Sequence, residues 1–431
     1  MNGRVRVQLS TMMFVEFFIW GVWYVTMGTY LSETLKFTGP DVGSAYSAAG
    51  WAAMISPFFI GMVADRFFAA QKVLGVLHLL GAALMLALTQ IKDAQPLFVA
   101  MVGSESAIAV WMPSGFFLVL LAYSLCYMPT LALVNAISFN QMKDPGKEFP
   151  NVRVLGTLGW IAAGLLIGFM KLEKSVMPMQ IAAGVSVLMG IYSFFLPNTP
   201  PKSIGKKPTV RDILGLDALK LMKDMSFSVF IIASLLICIP LTFYYNWANP
   251  FFNEIGMVNA AGKQTMGQMS EVFFMLLIPF FLAKVGIKKT LLIGMLAWVV
   301  RYAFFAFGDN GSMVFMLYGG ILLHGICYDF FFATGQIYVD KKAPEEIRAS
   351  AQGFIGFVTY GVGMVVGAYV AGFIVQHYAL MQEGMVSGHV WKSIWLIPAA
   401  MAGAVLLAFA LMFREKLAPA AAKEAAPATA E

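Results

Sequence analysis

Apolar stretches about 20 residues long, the length an α-helix needs to cross a bilayer, recur twelve times in this sequence and restrict its fold more than any other feature. They lie near 9–32, 43–64, 73–90, 114–139, 152–171 and 176–196, and again near 227–252, 268–284, 289–307, 313–338, 350–376 and 392–413. Inside hydrocarbon each segment must satisfy its own backbone, which dictates helices. Composition agrees: 59% of the 431 residues are hydrophobic and 12% are charged, against about 25% charged in a soluble domain. So apolar a chain lacks the polar surface to stay in water, which makes this an all-α integral membrane protein.

The net charge of +6 reads as the basic bias of cytoplasmic loops and gives no reason to expect nucleic acid as a partner. If the N-terminus is cytoplasmic, the loops on the far side hold only Lys36, Lys92, Lys171, Lys174, Lys263 and Lys392 of the 29 Lys and Arg residues. That asymmetry predicts a multi-pass protein with both termini inside. Arg4 and Arg6 precede an apolar run reaching about Leu31, too long for a signal-peptide core, so this run is expected to be the first span. Cys126, Cys238 and Cys327 show no pairing or metal spacing and read as small core residues. The stretch 97–113 carries Ser104, Glu105 and Ser106 and is expected to be a surface or re-entrant part of a loop.

A Pro- and Lys-rich interruption divides the chain. The expected layout is a six-helix half over 1–196, a cytoplasmic linker over 197–226, a second six-helix half over 227–413 and a disordered tail over 414–431. Val210 to Lys223 within the linker has the pattern of an amphipathic helix. Two halves joined this way suggest the parallel repeats of a major facilitator transporter. Gly61, Asp65 and Arg66, between spans two and three, look like that superfamily's loop signature, with a gating role.

Ionisable groups at membrane depth are costly and mark functional candidates. Arg153, Thr157 and Trp160 stand at i, i+4 and i+7 on one helical face; they either line a cavity or let Arg153 reach the interface. Gln268 and Glu271 are neighbours at i+3, facing a polar cavity or the outer water. Thr242, Tyr245 and Asn249 align similarly and suit a ring-containing polar ligand or a wet helix end. On a helical wheel, His324, Tyr328, Asp329, Phe332 and Gln336 occupy an arc of roughly 140°. Glu16 reads equally as a proton site or a buried acceptor, His78 as a satisfied packing residue, and Arg301 as the partner of a carboxylate. No phosphate-binding loop, zinc-protease or nucleophile-elbow motif is present; no cofactor and no metal are expected, and the chain is not expected to be an enzyme.

The strings FP-x-x-R-x-x-GT-x-G at 149–159, Q-x-x-E at 268–271, AW-x-x-R at 297–301, DFF at 329–331 and IRASAQG at 347–353 resemble the nucleoside:proton symporter family of the major facilitator superfamily. YMPTL at 127–131, LGLDA at 214–218 and IPFFL at 278–282 extend the likeness over nearly all of 8–413. The resemblance implies proton-coupled nucleoside uptake by a protein working as a monomer in a bacterial inner membrane. It also implies that Arg153, Thr157, Gln268, Glu271, Tyr328 and Asp329 bind substrate. Thr242, Tyr245, His324, Trp160 and Glu16 depart from the residues usual there, so they are pocket candidates that leave the substrate's identity open. The chemistry fits independently of the family: aromatic faces stack a base, amides and carboxylates bind sugar hydroxyls, and Glu271 or Asp329 carries the coupled proton. The rival readings are a symporter for another neutral polyol such as a sugar or glycoside and, more remotely, an intramembrane enzyme or sensor.

Overall fold

The computed structural model describes residues 1–59, 68–95, 113–201 and 216–414. Twelve helical rods result: α1 (Gly3–Thr34), α2 (Gly39–Phe59), α3 (Ala70–Leu88), α4 (Gly115–Gln141), α5 (Lys147–Met170), α6 (Met177–Ser193), α7 (Met225–Glu254), α8 (Ala260–Lys284), α9 (Gly286–Phe307), α10 (Val314–Lys342), α11 (Ser350–His377) and α12 (Trp391–Met412). Ten of these are long and apolar enough to span a bilayer; α6 is shorter, and α2 is rich in Gly, Ala and Ser. The gating-loop residues Gly61, Asp65 and Arg66, the stretch 97–112 and the tail beyond 414 lie outside the described residues. Of the expected linker helix, Leu216–Lys223 forms a 3₁₀ turn closed by a Lys220–Asp217 ion pair at 3.2 Å.

Polar residues set where helices start. Ser114 caps α4 by accepting the Phe117 N–H at 3.1 Å, and Asp224 caps α7 through Phe227 N–H at 2.9 Å. Asp224 also pairs with Lys342 at 2.9 Å, tying the first turn of α7 to the last of α10. That pairing and the Phe227 N–H hold its carboxyl below the usual range despite the opposing cost of burial.

Two bundles of six helices pack against each other. Within them α1 packs on α5, α3 on α4 and α6, and α9 on α12; α2 meets α11 and α5 meets α8 across the divide. Both cross-divide contacts are tightest at the end of the bundle remote from the termini. There a Cβ on Gly39 would overlap the Gly372 carbonyl, and one on Gly168 would overlap the Asn259 side chain. Only glycine lets the backbones come so close. Hydrogen bonds join the halves at this end, among them Thr29 to Asn249 at 2.6 Å, Gly39 N–H to Gln376 at 2.8 Å, and Ala261 N–H to the Glu173 carboxylate at 2.5 Å. A short hairpin, β1 (Ala379–Gln382) and β2 (Met385–His389), covers the same end. It turns at Glu383 and Gly384, both with positive φ, the geometry that matches strand twist. Glu254 at the end of α7 anchors it through His389, at 2.8 Å from the N–H and 2.7 Å from Nδ1.

Three helices leave the α-helical register among the described residues: α1 at Tyr30–Thr34, and two helices of the second half. Asp329–Ala333 in α10 and Phe357–Gly363 in α11 are π-helical. A π turn holds an extra residue, so a wheel drawn at a constant 100° fails beyond Asp329. Phe332 is buried with its ring 5.3 Å from that of Tyr328, and Gln336 is exposed; neither lines the cavity that Tyr328 lines, and both border a smaller one beside Tyr360.

Candidate functional site

A cavity of about 390 Å³ lies between the two bundles, within the size range of small-molecule sites. Its lining runs from Tyr245 and Gln268 near mid-bundle to Ser56 and Arg153 toward the end bearing the termini. Because the halves meet closely at the opposite end, this arrangement faces the terminal side.

Of the residues singled out in the sequence, Arg153, Thr157, Trp160, Tyr245, Gln268, Glu271 and Tyr328 all line this cavity. They come from α5, α7, α8 and α10, so helices on both sides contribute. Arg153 stacks over the Phe17 ring at 4.1 Å, a contact that desolvates the guanidinium face and leaves its edge for other partners. Tyr328 and Tyr360 share a hydroxyl–hydroxyl hydrogen bond at 2.7 Å. One wall is aromatic: Trp20 meets Trp160 edge-on at 5.4 Å, and Tyr24 meets Tyr245 edge-on at 6.0 Å.

Three expected pocket residues stand elsewhere. Thr242 is fully buried, donates to the Ile239 carbonyl at 2.7 Å and packs against Gly367 of α11. His324 lies behind Glu271, fully buried, with Nε2 3.7 Å from a Glu271 oxygen. Asp329, at the start of the π turn, is also fully buried, and neither of its carboxylate oxygens has a hydrogen-bond partner among the described residues. Asn249, on the face expected to be polar, bridges Thr29 and Gln264 at the closed end, at 2.6 and 2.7 Å.

Other expectations meet a mixed outcome. Arg301 does not pair with a carboxylate. Its Nη1 donates to His324 Nδ1 at 3.0 Å, and its guanidinium lies 3.4 Å over the Tyr244 ring. The Tyr244 ring and an imidazole, with Trp298 and Phe305 farther off at 5.5 and 5.6 Å, stand where a carboxylate was expected. Glu16 and His78, 62 residues apart in sequence, bond to each other at 2.9 Å, and Thr130 donates to the second Glu16 oxygen at 2.5 Å. Both are buried inside the first bundle, outside the cavity lining: His78 is a partnered packing residue, and Glu16 accepts hydrogen bonds there, which leaves its two readings as they stood. Phe17, Trp20, Tyr24 and Tyr360 line the cavity without having been singled out; aromatic residues on apolar helices give no signal separable from core.

Twelve helices in two bundles around a central polar cavity closed at one end define a transporter of the major facilitator type. The family model described as "Nucleoside H+ symporter" matches residues 3–114 and 105–418, and this chain belongs to that family. It is 43% identical to the Escherichia coli (strain K12) protein YegT over 96% of this chain and 94% of that one. It is 32% identical to the nucleoside permease NupG of the same organism, covering 96% and 97% of the two chains. The crystal structure of NupG superimposes with a TM-score of 0.83 over 96% of this chain and all of that one. A bacterial homologue of the lysosomal transporter Spinster, at 11% identity, reaches 0.66 and shares the fold alone. Membership of a permease family makes the chain a transporter and not an enzyme.

Proposed function

We propose that this protein takes up nucleosides across the bacterial cytoplasmic membrane, driven by co-transported protons. The observation that carries the reading is Glu271, a carboxylate inside a cavity shared by both halves, with Arg153 and an aromatic wall around the same space. A nucleoside is neutral and amphipathic. Trp160 and Tyr245 offer ring faces to the base, while Gln268, Thr157 and Glu271 offer partners to ribose hydroxyls. The permease relatives named for nucleosides support this substrate class.

In this reading one of Glu271 and Asp329 carries the coupled proton. Both sit within spans on the second half, where an unpaired carboxylate is costly and a neutral acid is not. Arg153 faces Glu271 from the first half and stabilises its anion when the proton leaves. Residues 1–196 and 227–413 rock about the cavity, with 197–226 as the cytoplasmic linker. Both termini are placed in the cytoplasm, so the arrangement described is inward-facing. In the same reading the loop signature Gly61, Asp65 and Arg66 acts in gating, and one chain suffices for transport.

Uridine uptake into vesicles with and without an inward proton gradient tests the proposal. Concentrative uptake is expected only with the gradient; equal accumulation in both rejects symport. A competition panel of nucleosides, free bases and sugars then fixes the substrate class, and inhibition by sugars alone rejects nucleosides.

A further inference from the structure

His324 is the one member of the predicted pocket that faces a charged group on each side, and this geometry fixes its chemistry. Arg301 has only donors, and its Nη1 lies 3.0 Å from His324 Nδ1. That nitrogen must therefore accept, which makes the imidazole neutral and puts its hydrogen on Nε2. Nε2 has no hydrogen-bond partner among the described residues and points toward Glu271, 3.7 Å away. The distance exceeds a hydrogen bond by less than 1 Å and is short enough for a small turn of the Glu271 side chain to close it. The imidazole is held in plane by Tyr244, stacked at 5.1 Å, which also carries the Arg301 guanidinium on its ring. Arg301, Tyr244 and His324 are all buried from solvent, so the arrangement is shielded and its charge is felt strongly.

We propose that Arg301 and His324 form a relay behind the cavity: Arg301 fixes the histidine tautomer, and the Nε2–H so placed is a switchable donor that stabilises the Glu271 anion. His324 is then a positioning residue that touches the coupling carboxylate and not the substrate. The relay rests on the coupling role given to Glu271 above. When Glu271 swings onto Nε2–H its anion is stabilised and its proton leaves through the cavity; when it swings away the acid form is restored. Other groups act on the same carboxylate. Arg153 of α5, Tyr245 of α7, Tyr328 and Asp329 of α10 and Tyr360 of α11 face it. Of these only Arg153 is a cation, so removing the relay leaves Arg153 as its one stabiliser across the cavity.

The test is the dependence of proton-driven uridine uptake on pH in vesicles holding the full-length protein. Without the Nε2–H donor, Glu271 gives up its proton only at higher pH. His324→Leu is expected to move the half-maximal pH upward by about one unit. His324→Gln is expected to keep the original midpoint, because an amide oxygen can accept from Arg301 while its N–H faces Glu271. Arg301→Met, which keeps the imidazole but removes the donor that fixes its tautomer, is expected to move the midpoint in the same direction as His324→Leu, and it decides the matter if His324→Leu fails to reach the membrane. A midpoint unmoved by every one of these substitutions, with only the rate reduced, overturns the relay. Glu271→Gln separates this failure from that of the underlying reading. If it still accumulates uridine against a gradient, Glu271 does not couple; if it only exchanges nucleoside while the relay variants keep the original midpoint, the relay alone is rejected.

Discussion

Glu271 stands between Arg153 across the cavity and His324 behind it, and its neighbours on the aromatic wall decide what can sit beside it. Trp160 packs edge-on against Trp20 at 5.4 Å, which holds the indole still and presents one face to the cavity. Trp160→Ala should therefore weaken uridine binding about tenfold, close to the 1.4 kcal/mol of one lost stacking contact, as read by ligand-induced thermal shift. Unchanged affinity would place the base elsewhere. Arg153 and Glu271 were legible in the sequence because ionisable groups inside apolar spans are costly. Tyr24 and Tyr360 were not, since an aromatic residue in a span has the same pattern whether it faces lipid, core or cavity. The pairing of Arg301 with His324 was equally hidden, because spacing on one helix says nothing about a partner 23 residues away on another.

Helices carry the second kind of information, and the sequence supplied their order but not how they meet. The positions of the twelve spans followed from hydropathy alone. The π turns in α10 and α11 did not, and they make a wheel drawn at one constant angle an unsafe guide beyond Asp329 and Phe357. The closed end is likewise a matter of contact geometry. Gly372 of α11 lies against the Gly39 carbonyl of α2, so Gly372→Ile should wedge the two helices apart and keep that end open. Uptake should fall by at least about tenfold while uridine still binds; wild-type uptake would mean the contact is not needed. The third tie at this end, Glu173 against the Ala261 N–H, adds pH dependence. Burial raises the Glu173 carboxyl above its ordinary 4.5, partly offset by that N–H. The closed arrangement thus holds the proton more tightly than the open one. Its contribution is full in acid and is lost as pH rises through the raised value. Spin labels at Lys36→Cys and Val258→Cys, on opposite halves of this end, should report more separation as pH rises above the usual glutamate range, and Glu173→Gln should flatten that response.

At the scale of the whole molecule, the asymmetry of basic residues and the asymmetry of helix contacts make one joint statement. Charge predicts that the terminal side is cytoplasmic, and the close glycine contacts put the seal at the other side. Together they predict which face of the membrane reaches the cavity, although neither does so alone. The hairpin turn at Glu383 is exposed at the sealed end, and Lys147 is exposed at the terminal end. The native cysteines are a low background, since Cys238 and Cys327 are buried and Cys126 is partly so. A membrane-impermeant maleimide should label Glu383→Cys in intact cells and label Lys147→Cys only after the cells are opened. The reverse pattern would invert the protein, so the cavity described would face outward and the proton would load from the side assigned here to release. Labelling of both in intact cells would break the shared topology, and with it the charge argument. The expected pattern would put the Glu173 seal on the outer face and the cavity on the inner one, which is the order that the proposed proton uptake and release at Glu271 or Asp329 requires.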